Sequence, residues 1–467
     1  MTHFDLLIIG TGSGNTLPGP EFDGQSIALV EKGTFGGTCL NVGCIPTKMF
    51  AYTAEVAAMP SKSSKYGVSE TLDGVDWPAI RDRIFGRIDP IASGGEEYRK
   101  VHEDNRNITV FQGVGRFTGR KTLTVGVADG DVEITADRIV IAAGSRPVFP
   151  PASGIEEAQP LTSDSVMRME ELPGSMIILG SGFIAAEMAH VFSSLGVDVT
   201  LIARSKMMLS SHDRDIAEAY TTIASGKYTV RRGFNTTKVE RIDGRIHLTG
   251  MAHDQVETIE ADEILVATGR KPNADTLGVA EAGIGIREDG RVSVDSYQRV
   301  LDVDGNVMDG IFALGDISSQ WQLKHVANKE AKTVRHNLLH PDDMIETDHR
   351  FVPSAVFGDP QIASVGMTEG EAQVKGIDYV VAKQDYAGIA YGWAMEDTTG
   401  FTKIIAERET TKILGAHIIG PHAPTLIQIL IQAMSTGQTA RDIASTQYWI
   451  HPAMPELIEN ALLQITE

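Results

Sequence analysis

Short runs of apolar residues, each followed by glycines, occur twice along the chain in the same order. The first run, residues 4–10, leads into the glycine-rich stretch 10–15, and the second, residues 175–179, leads into the stretch 180–185. A strand that is buried on both faces has a continuous apolar run. A Gly-x-Gly turn directly after such a strand is typical of a site that binds the phosphates of a dinucleotide. The repeat therefore predicts two dinucleotide-binding units.

In the first unit the glycine pattern is incomplete. Gly10 and Gly12 match it, but Asn15 takes the third glycine position, which normally serves the packing of a helix on the strand. A second strand at 26–30 ends at Glu31, and an acid about 20 residues after the turn can bind ribose hydroxyls. We expect a pyrophosphate at the N-terminus of a helix that follows this turn, and we expect Asn15 to change how that helix begins.

The second unit carries a complete Gly-x-Gly-x-x-Ala pattern at 180–185, which opens a helix. The next strand, residues 197–202, is followed by Arg204 and Lys206, with no acid before Asp213. NAD sites place an acid here for the 2′-hydroxyl of the adenosine ribose, whereas the 2′-phosphate of NADPH suits cations. The second unit is therefore predicted to prefer NADPH, with Arg204 as the better phosphate ligand.

The remaining pattern predicts further elements. Helices are expected at residues 51–58, 79–88 and 96–103, and strands between 108 and 135, with turns at Gly113, Gly115 and Asp129-Gly130. From about residue 346 the pattern predicts strands at 354–357, 378–383, 401–407 and 413–419, then helices at 425–435, 439–444 and 454–464. This last part has no phosphate loop, so it is expected to serve another purpose.

Composition excludes several classes of partner. The chain has 467 residues, with 41 Lys and Arg against 62 Asp and Glu, and a formal charge of −21. Such an acidic surface argues against nucleic acid and anionic membranes as partners. The sequence contains no run of about 18 apolar residues, so no membrane span is expected. The first residues lack the basic region of a signal peptide. Two cysteines in such a chain favour a reducing compartment, so we expect a cytoplasmic location.

Both cysteines lie in the stretch 36–48. Cys39 and Cys44 are five positions apart, and a disulfide needs their Cα atoms within about 7 Å. A regular helix would hold such a pair too far apart and on different faces. The intervening turn must therefore be distorted, with Gly43 supplying the freedom, and Pro46 suits the first turn of a new helix. So small a loop would be a weak stabilising cross-link, so the pair could be a redox switch, a minor cross-link or two inert core thiols, and the sequence around it has to decide.

The pattern Gly-Gly-Thr-Cys-x-Asn-x-Gly-Cys-x-Pro-x-Lys at 36–48 resembles the active-site motif of the flavoprotein disulfide reductases, the class I pyridine nucleotide-disulfide reductases. Glutathione reductase, dihydrolipoyl dehydrogenase and mercuric reductase belong to this family. The resemblance covers essentially the whole chain: residues 310–316 are similar to the family's second FAD motif, and residues 323–327 to a stretch near the flavin in the dehydrogenases. It implies FAD in the first unit, NADPH in the second, and a homodimer whose subunits share the active sites.

The fold that the resemblance implies is α/β. It has two Rossmann-like dinucleotide-binding domains, the second inserted in the first, and an α+β C-terminal dimerisation domain. The expected limits are 1–150 and 271–345 for the FAD-binding domain, 151–270 for the NADPH-binding domain and 346–467 for the dimerisation domain.

The resemblance also implies catalytic roles around the cysteines. Cys44, which is nearer Lys48 in sequence, resembles the thiol beside the flavin, and Cys39 resembles the interchange thiol that attacks the substrate disulfide. Lys48 is expected near flavin N5, with Glu187 as its ion-pair partner.

The second strong motif is the segment 451–456. A histidine titrates near neutral pH, which suits proton transfer to and from a thiol, and a carboxylate on its other ring nitrogen would hold its tautomer. The resemblance implies that His451 comes from the partner subunit, protonates the leaving thiol and is oriented by Glu456.

Cofactor contacts are expected from two groups of residues, and no metal site is expected. The phosphate loops and the segments next to them contribute Gly10, Gly12, Ser13, Gly14, Glu31, Lys32, Gly180, Gly182, Phe183, Ile184, Glu187, Arg204 and Lys206. The remaining contacts are expected from Gly37, Thr38, Lys48, Gly115, Gly144, Gly269, Asp316, Lys324 and His325.

The substrate is expected to be a small disulfide. No Lys or Arg lies between Lys48 and Lys62, in a helix that borders the substrate cleft of relatives. The carboxylates of glutathione would need cations there, so the pattern suits an uncharged glycosidic disulfide such as mycothione. The alternatives are dihydrolipoyl dehydrogenase activity, glutathione reductase-like activity and, in another class, a flavin-bound redox sensor without turnover. Mercuric reduction is disfavoured because no cysteine lies near the C-terminus.

Overall fold

The computed structural model describes residues 1–466, which form two compact units. Unit 1 comprises residues 1–47, 79–148 and 270–349, and unit 2 comprises residues 48–78, 149–269 and the chain from 350 onward. The segments predicted as the NADPH-binding and dimerisation domains thus lie in one unit. The expected domain limits stay predictions.

The strands are, in chain order, Thr2–Ile9 (β1), Ile27–Glu31 (β2), Ile108–Gln112 (β3), Val114–Gly119 (β4), Thr122–Val127 (β5), Gly130–Ile141 (β6), Ser145–Pro147 (β7), Leu161–Thr162 (β8), Ser175–Leu179 (β9), Asp198–Ala203 (β10), Thr229–Arg232 (β11), Asn235–Ile242 (β12), Arg245–Ala252 (β13), Gln255–Ala261 (β14), Glu263–Val266 (β15), Arg270–Pro272 (β16), Arg299–Leu301 (β17), Val307–Ala313 (β18), Pro353–Val356 (β19), Ile362–Gly366 (β20), Tyr379–Asp385 (β21), Phe401–Glu407 (β22) and Ile413–Ile419 (β23).

The helices are, in chain order, Gly37–Asn41 (α1), Cys44–Ser63 (α2), Trp77–Val101 (α3), Phe183–Ser194 (α4), Arg214–Lys227 (α5), Lys324–Leu339 (α6), Glu369–Val374 (α7), Ala390–Met395 (α8), Ala423–Leu426 (α9), Gln428–Thr436 (α10), Ala440–Thr446 (α11) and Glu456–Thr466 (α12). None of the helices within residues 1–466 is long and apolar enough to cross a membrane.

Unit 1 is built on a sheet with the strand order β17-β18-β6-β1-β2-β3, to which β4 and β5 are joined. The central strand β1 is parallel to β2 and β6, with Ile9 opposite Val30 and Ile141. Its side chains from Leu6 to Ile8 are fully buried, which explains the continuous apolar run. The chain reverses its strand order at β1, and the crevice at the carboxyl end of such a strand is where open α/β sheets bind ligands.

No α-helix joins β1 to β2, which corrects the expectation of a helix after the first glycine turn. The connection contains two 3₁₀ turns, Gly14–Thr16 and Pro20–Phe22. Pro18 and Gly19 lie between these turns. Proline in a helix interior removes a hydrogen bond and costs about 3 kcal/mol, and glycine costs about 1 kcal/mol. These residues were the signal against a helix here.

Two other local predictions were wrong. The helices expected at 79–88 and 96–103 are one helix, α3, which continues through Pro90. A buried apolar stripe that includes Ile84, Ile88 and Ala92 runs along it, and this packing holds the helix together despite the proline. Gly115 lies inside β4 rather than in a turn. Close packing explains the glycine, because a Cβ there would come within 2.9 Å of the Leu123 side chain.

Unit 2 contains a parallel sheet, with the order β11-β10-β9-β15-β8, and two antiparallel sheets, β12-β13-β14 and β19-β20-β23-β22-β21. Strand β9 leads into the second glycine turn and then into α4. The helices α9 to α12 and the five-stranded antiparallel sheet share one apolar core, which includes Ile404, Ile418, Leu430 and Leu457. Each glycine turn thus follows a central strand that has parallel neighbours on both sides, as the sequence repeat predicts.

Candidate active site

The two cysteines lie at the junction of two helices in unit 1. Cys39 is in α1 and Cys44 is the first residue of α2. Cys39 is half-buried, Cys44 is exposed, and both are present as thiols. The pKa of Cys39 is raised by its hydrogen bond to Cys44, by burial, and by repulsion from negative charge on Cys44. Cys39 therefore keeps its proton at neutral pH unless a base removes it.

Close packing, not backbone freedom, explains why residue 43 is a glycine. The residue is not among those with positive φ, which corrects the expectation that its freedom shapes the turn. A Cβ at this position would lie 2.8 Å from the Thr38 carbonyl oxygen and 3.3 Å from the Cys39 Cα. Glycine therefore lets the end of α1 approach the start of α2, where Pro46 occupies the first turn as predicted.

Asn41 holds α1 in place, a role that sequence reasoning missed. The residue is buried, and its Nδ2 donates to the carbonyl oxygens of Phe35 at 2.7 Å and Gly37 at 3.1 Å. Gly36, the residue before the helix, has a φ of 99°, which only glycine adopts readily. An asparagine between two cysteines was the available signal, because a buried amide must find hydrogen-bond partners.

Lys48 and Glu187 form the ion pair that was expected, and both belong to unit 2. The Lys48 ammonium donates to both carboxylate oxygens, at 2.7 and 2.9 Å. Glu187 is buried and also accepts from the backbone N–H of Phe357 at 2.9 Å. The Lys48 Nζ lies 4.8 Å from the centre of the Phe357 ring. These contacts fix the position of the ammonium, while its action on a flavin stays a prediction.

His451 and Glu456 form the second expected pair, also in unit 2. The His451 Nδ1 lies 2.6 Å from Glu456 Oε1, and the Ala453 N–H donates to Glu456 Oε2 at 3.0 Å. The hydrogen bond from His451 lowers the pKa of Glu456, and the backbone bond acts in the same direction. The imidazole is exposed, so its Nε2 side is open to a reactant. The arrangement suits an oriented general acid–base.

The first glycine loop fits a dinucleotide phosphate. A Cβ on Gly10, whose φ is +101°, would lie 2.4 Å from the Ala142 carbonyl oxygen, and a Cβ on Gly37 would lie 2.7 Å from the Gly12 Cα. The backbone N–H groups of Gly12 and Ser13 have no protein acceptor within residues 1–466. Such donors at a close-packed glycine turn suit the pyrophosphate of FAD.

Glu31 lies beside this loop, at the end of β2. Its Oε2 accepts from the N–H and the hydroxyl of Thr11, and its Oε1 accepts from the Gly33 N–H at 2.8 Å. A carboxylate has about four acceptor positions, so room remains for a ribose hydroxyl. That contact stays a prediction.

Asp316 follows β18 in unit 1 and is part of the expected second FAD motif. Burial raises the pKa of its carboxyl group, against the hydrogen bond from the Ser145 hydroxyl at 2.6 Å, which lowers it. Nearby in the chain, the Ser318 and Ser319 hydroxyls are buried and lack hydrogen-bond partners within residues 1–466. Buried polar groups normally find partners, so this segment fits a polar cofactor chain such as the ribityl group.

The second glycine loop has the same form and leads into a full helix. A Cβ on Gly180 would lie 2.3 Å from the Ala267 carbonyl oxygen, whereas Gly182 has open space before α4 begins. The Ser205 hydroxyl donates its proton to the Met207 carbonyl oxygen at 2.5 Å, so it accepts the hydrogen bond from the Ser181 hydroxyl, 3.1 Å away. This bond holds the segment with Arg204 and Lys206 against the phosphate loop.

Arg232 is a further cation at this edge that sequence reasoning missed. It lies opposite Ala203 in the parallel pair β10 and β11, and its Nη1 donates to the Lys206 carbonyl oxygen at 3.3 Å. Arg204, Lys206 and Arg232 are exposed, and no ion pair joins them to a carboxylate of the described chain. Only the pairing of the two strands brings Arg232 here, which a local pattern does not show.

The predicted site residues divide between the two units. Unit 1 contains both cysteines, the first glycine loop, Glu31, Lys32, Gly37, Thr38, Gly115, Gly144, Asp316, Lys324 and His325; unit 2 contains Lys48, the loop Gly180–Ile184, Glu187, Arg204, Lys206, Gly269, His451 and Glu456. The structure joins Cys39 to Cys44, Lys48 to Glu187, His451 to Glu456 and Lys324 to Ser13. The cofactor contacts of the other residues stay predictions.

Comparisons with known proteins agree with these features. The family model described as pyridine nucleotide-disulphide oxidoreductase matches residues 4–331, and the model of the family's dimerisation domain matches residues 352–462. A mycothione reductase of Mycobacterium tuberculosis is 52% identical, with 99% of each chain covered. A dihydrolipoyl dehydrogenase of Halobacterium salinarum is 32% identical, with 97% of this chain and 94% of the relative covered.

A solved structure supports the same fold. The HOCl-induced flavoprotein disulfide reductase RclA of Escherichia coli superposes with a TM-score of 0.85 at 28% identity, covering 98% of this chain and 99% of that one. The predicted fold class is confirmed, as are FAD and NADPH as cofactors. The chain belongs to the pyridine nucleotide-disulphide oxidoreductase family, as a class I NADPH-dependent flavoprotein disulfide reductase that forms a homodimer and acts on a small disulfide.

Proposed function

We propose that the chain reduces mycothione, the disulfide of mycothiol, to mycothiol. The observation that carries this proposal is the 52% identity to a mycothione reductase over 99% of both chains. The surface of α2 supports it, because Tyr52, Val56 and Met59 are exposed and no cation lies between Lys48 and Lys62. An apolar, cation-free helix suits a glycosidic disulfide better than the carboxylates of glutathione.

In the proposed reaction, the Cys39–Cys44 disulfide is opened to two thiols by an electron pair that FAD, when bound, would pass on from NADPH. The Cys39 thiolate attacks one sulfur of mycothione, forms a mixed disulfide and displaces the first mycothiol, which takes a proton from His451. The Cys44 thiolate then attacks Cys39, restores the disulfide and releases the second mycothiol. His451 first takes its proton from the Cys39 thiol, and the second mycothiolate takes a proton from solvent. One substrate disulfide, one NADPH and one proton thus give two thiols and NADP⁺, so electrons and protons balance.

The ion pairs described above position the groups that assist these steps. We assign the Lys48 ammonium, held by Glu187, to the stabilisation of negative charge near the flavin, and Glu456 to the orientation of His451. We infer that His451 acts on the cysteines of the partner subunit. We also place the reaction in the cytoplasm, because a reducing compartment leaves a catalytic dithiol available.

A side-by-side turnover assay with mycothione, oxidised glutathione and lipoamide tests the substrate. We expect NADPH oxidation with mycothione at a kcat/KM at least about 10-fold above that with the other two, a difference equal to about 1.4 kcal/mol. Faster turnover of lipoamide, with NAD⁺ used in the reverse direction, would favour the dihydrolipoyl dehydrogenase alternative. Flavin reduction without turnover of any of the three would favour the redox sensor.

Nucleotide preference depends, in our proposal, on Arg204. Arg204→Ala is expected to lower kcat/KM for NADPH by about 10- to 100-fold, the range for a lost hydrogen bond between charged groups, and to leave that for NADH nearly unchanged. Steady-state rates with both cofactors measure this. Arg231→Ala is the matched control, because it removes the same charge from an exposed residue next to Arg232, and neighbouring side chains in a strand point to opposite faces. Equal effects of Arg204→Ala on both cofactors would remove Arg204 from the site.

A further inference from the structure

The two glycine loops of this chain lead into different structures. In unit 2 the loop leads into α4, a helix of 12 residues. In unit 1 it leads into a 3₁₀ turn of 3 residues, Gly14–Thr16. An α-helix carries about half a positive charge at its N-terminus, which favours phosphate there. The FAD loop therefore lacks the helix end that normally faces a pyrophosphate.

Arg99 of α3 fixes the turn that replaces the missing helix. Its Nε donates to Asn15 Oδ1 at 2.8 Å, its Nη2 to the Asn15 carbonyl oxygen at 2.8 Å, and its Nη1 to Asn105 Oδ1 at 2.7 Å. All three nitrogens of the guanidinium thus donate to oxygens of the protein. These bonds explain why an asparagine occupies the third glycine position. Because they use every nitrogen of Arg99, another group has to supply the positive charge at the phosphate.

Lys324 is the cation that reaches the loop itself. Its Nζ donates to the Ser13 hydroxyl at 2.9 Å, and this hydroxyl donates to Asn328 Oδ1 at 3.1 Å. Lys324 is the first residue of α6 and Asn328 lies one turn later, so the N-terminal turn of α6 is bonded to the loop. No ion pair joins Lys324 to a carboxylate within residues 1–466. Its charge is therefore available to an anion.

The second loop provides an internal comparison. Aligning the two glycine patterns places Phe183 where the first loop has Ser13. Phe183 offers no polar atom to a lysine, and its loop has the helix α4 behind it. A serine that accepts a hydrogen bond from a lysine thus occurs in the loop that is not followed by a helix.

We propose that the Lys324 ammonium binds the pyrophosphate of FAD and supplies the positive charge that the missing helix would have provided. The ammonium lies on the hydroxyl of Ser13, next to the two N–H groups of the loop that have no acceptor in the described chain. A doubly anionic pyrophosphate at these groups would gain a charge-assisted hydrogen bond from Lys324. The proposal rests on the use of FAD but not on the identity of the disulfide substrate.

The test is the rate of FAD release from the dimeric holoenzyme, followed by the rise in flavin fluorescence after dilution. Lys324→Gln keeps a donor for Ser13 but removes the charge, and it is expected to release FAD about 10- to 100-fold faster, the range for a lost charged hydrogen bond. Lys324→Arg should remain within about 3-fold of the wild type, because it keeps the charge. Lys329→Gln is the matched control, since it removes an exposed lysine from the same helix. Added salt should accelerate release from the wild type more than from Lys324→Gln.

Either of two results would overturn the proposal. One is FAD release from Lys324→Gln at the wild-type rate; a lowered flavin midpoint potential in that case would place the ammonium at the ring instead of the pyrophosphate. The other is that Lys324→Arg releases FAD as fast as Lys324→Gln and that both variants lose the same thermal stability, measured by circular dichroism. This result would indicate that Lys324 has a packing role.

Discussion

Cys39→Ser is expected to abolish turnover of the disulfide substrate while NADPH still reduces the flavin. The serine hydroxyl is a far weaker nucleophile than a thiolate, so no mixed disulfide forms. The change is nearly isosteric, and Cys39 is only half-buried, so the fold should remain intact. Stopped-flow spectra of flavin reduction and a steady-state assay with the disulfide measure the two half-reactions separately. Normal disulfide turnover by Cys39→Ser would mean that the assigned nucleophile is wrong.

Cys44→Ser provides the matched control for that experiment. In our proposal Cys44 faces the flavin, so its loss should remove the long-wavelength absorbance that a thiolate beside a flavin gives. Cys39→Ser should keep that absorbance in the reduced protein. If the two variants exchanged these signatures, the roles of the cysteines would have to be exchanged as well.

The parts of the fold that could be predicted are those whose signals are local. A continuous apolar run followed by Gly-x-Gly predicts a buried strand and a phosphate turn, and both copies are present. Gly10 and Gly180 are required where they lie, because a Cβ at either position would collide with the backbone oxygen of residue 142 or 267. The ion pair of Lys48 and Glu187 was anticipated only through the family resemblance, since 139 positions separate its members.

The parts that were missed depend on contacts between distant segments. Arg232 joins the edge with Arg204 only because β10 and β11 pair in parallel with a particular register. The missing helix in unit 1 had a local signal in Pro18 and Gly19, but the expectation that a helix follows a Gly-x-Gly turn overrode it. The replacement for that helix comes from α6, 311 positions later in the chain. No pattern within one segment could show that bond.

The raised pKa of Cys39 predicts a strong dependence on a base. The hydrogen bond to Cys44 and burial keep the proton on Cys39, so a neutral imidazole is needed to accept it when the thiolate attacks. His451→Ala is therefore expected to lower kcat with the disulfide by about 10²–10⁴-fold, the range for a lost general acid–base. Flavin reduction by NADPH, measured by stopped flow, should stay close to the wild-type rate. Glu456→Gln should cost less, because it removes only the carboxylate that orients the ring.

Mixed dimers test whether the base comes from the partner subunit. A Cys39→Ser chain and a His451→Ala chain, inactive and at least about 100-fold impaired as homodimers, can be co-expressed with different affinity tags and purified as a heterodimer. If the site is shared and the two sites act independently, one site combines an intact Cys39 with an intact His451, and the heterodimer should recover about half of the wild-type kcat. If each subunit used its own histidine, both sites would lack one group and no activity would return. A dimer of two Cys39→Ser chains that carry the two different tags is the control for contamination by wild-type protein.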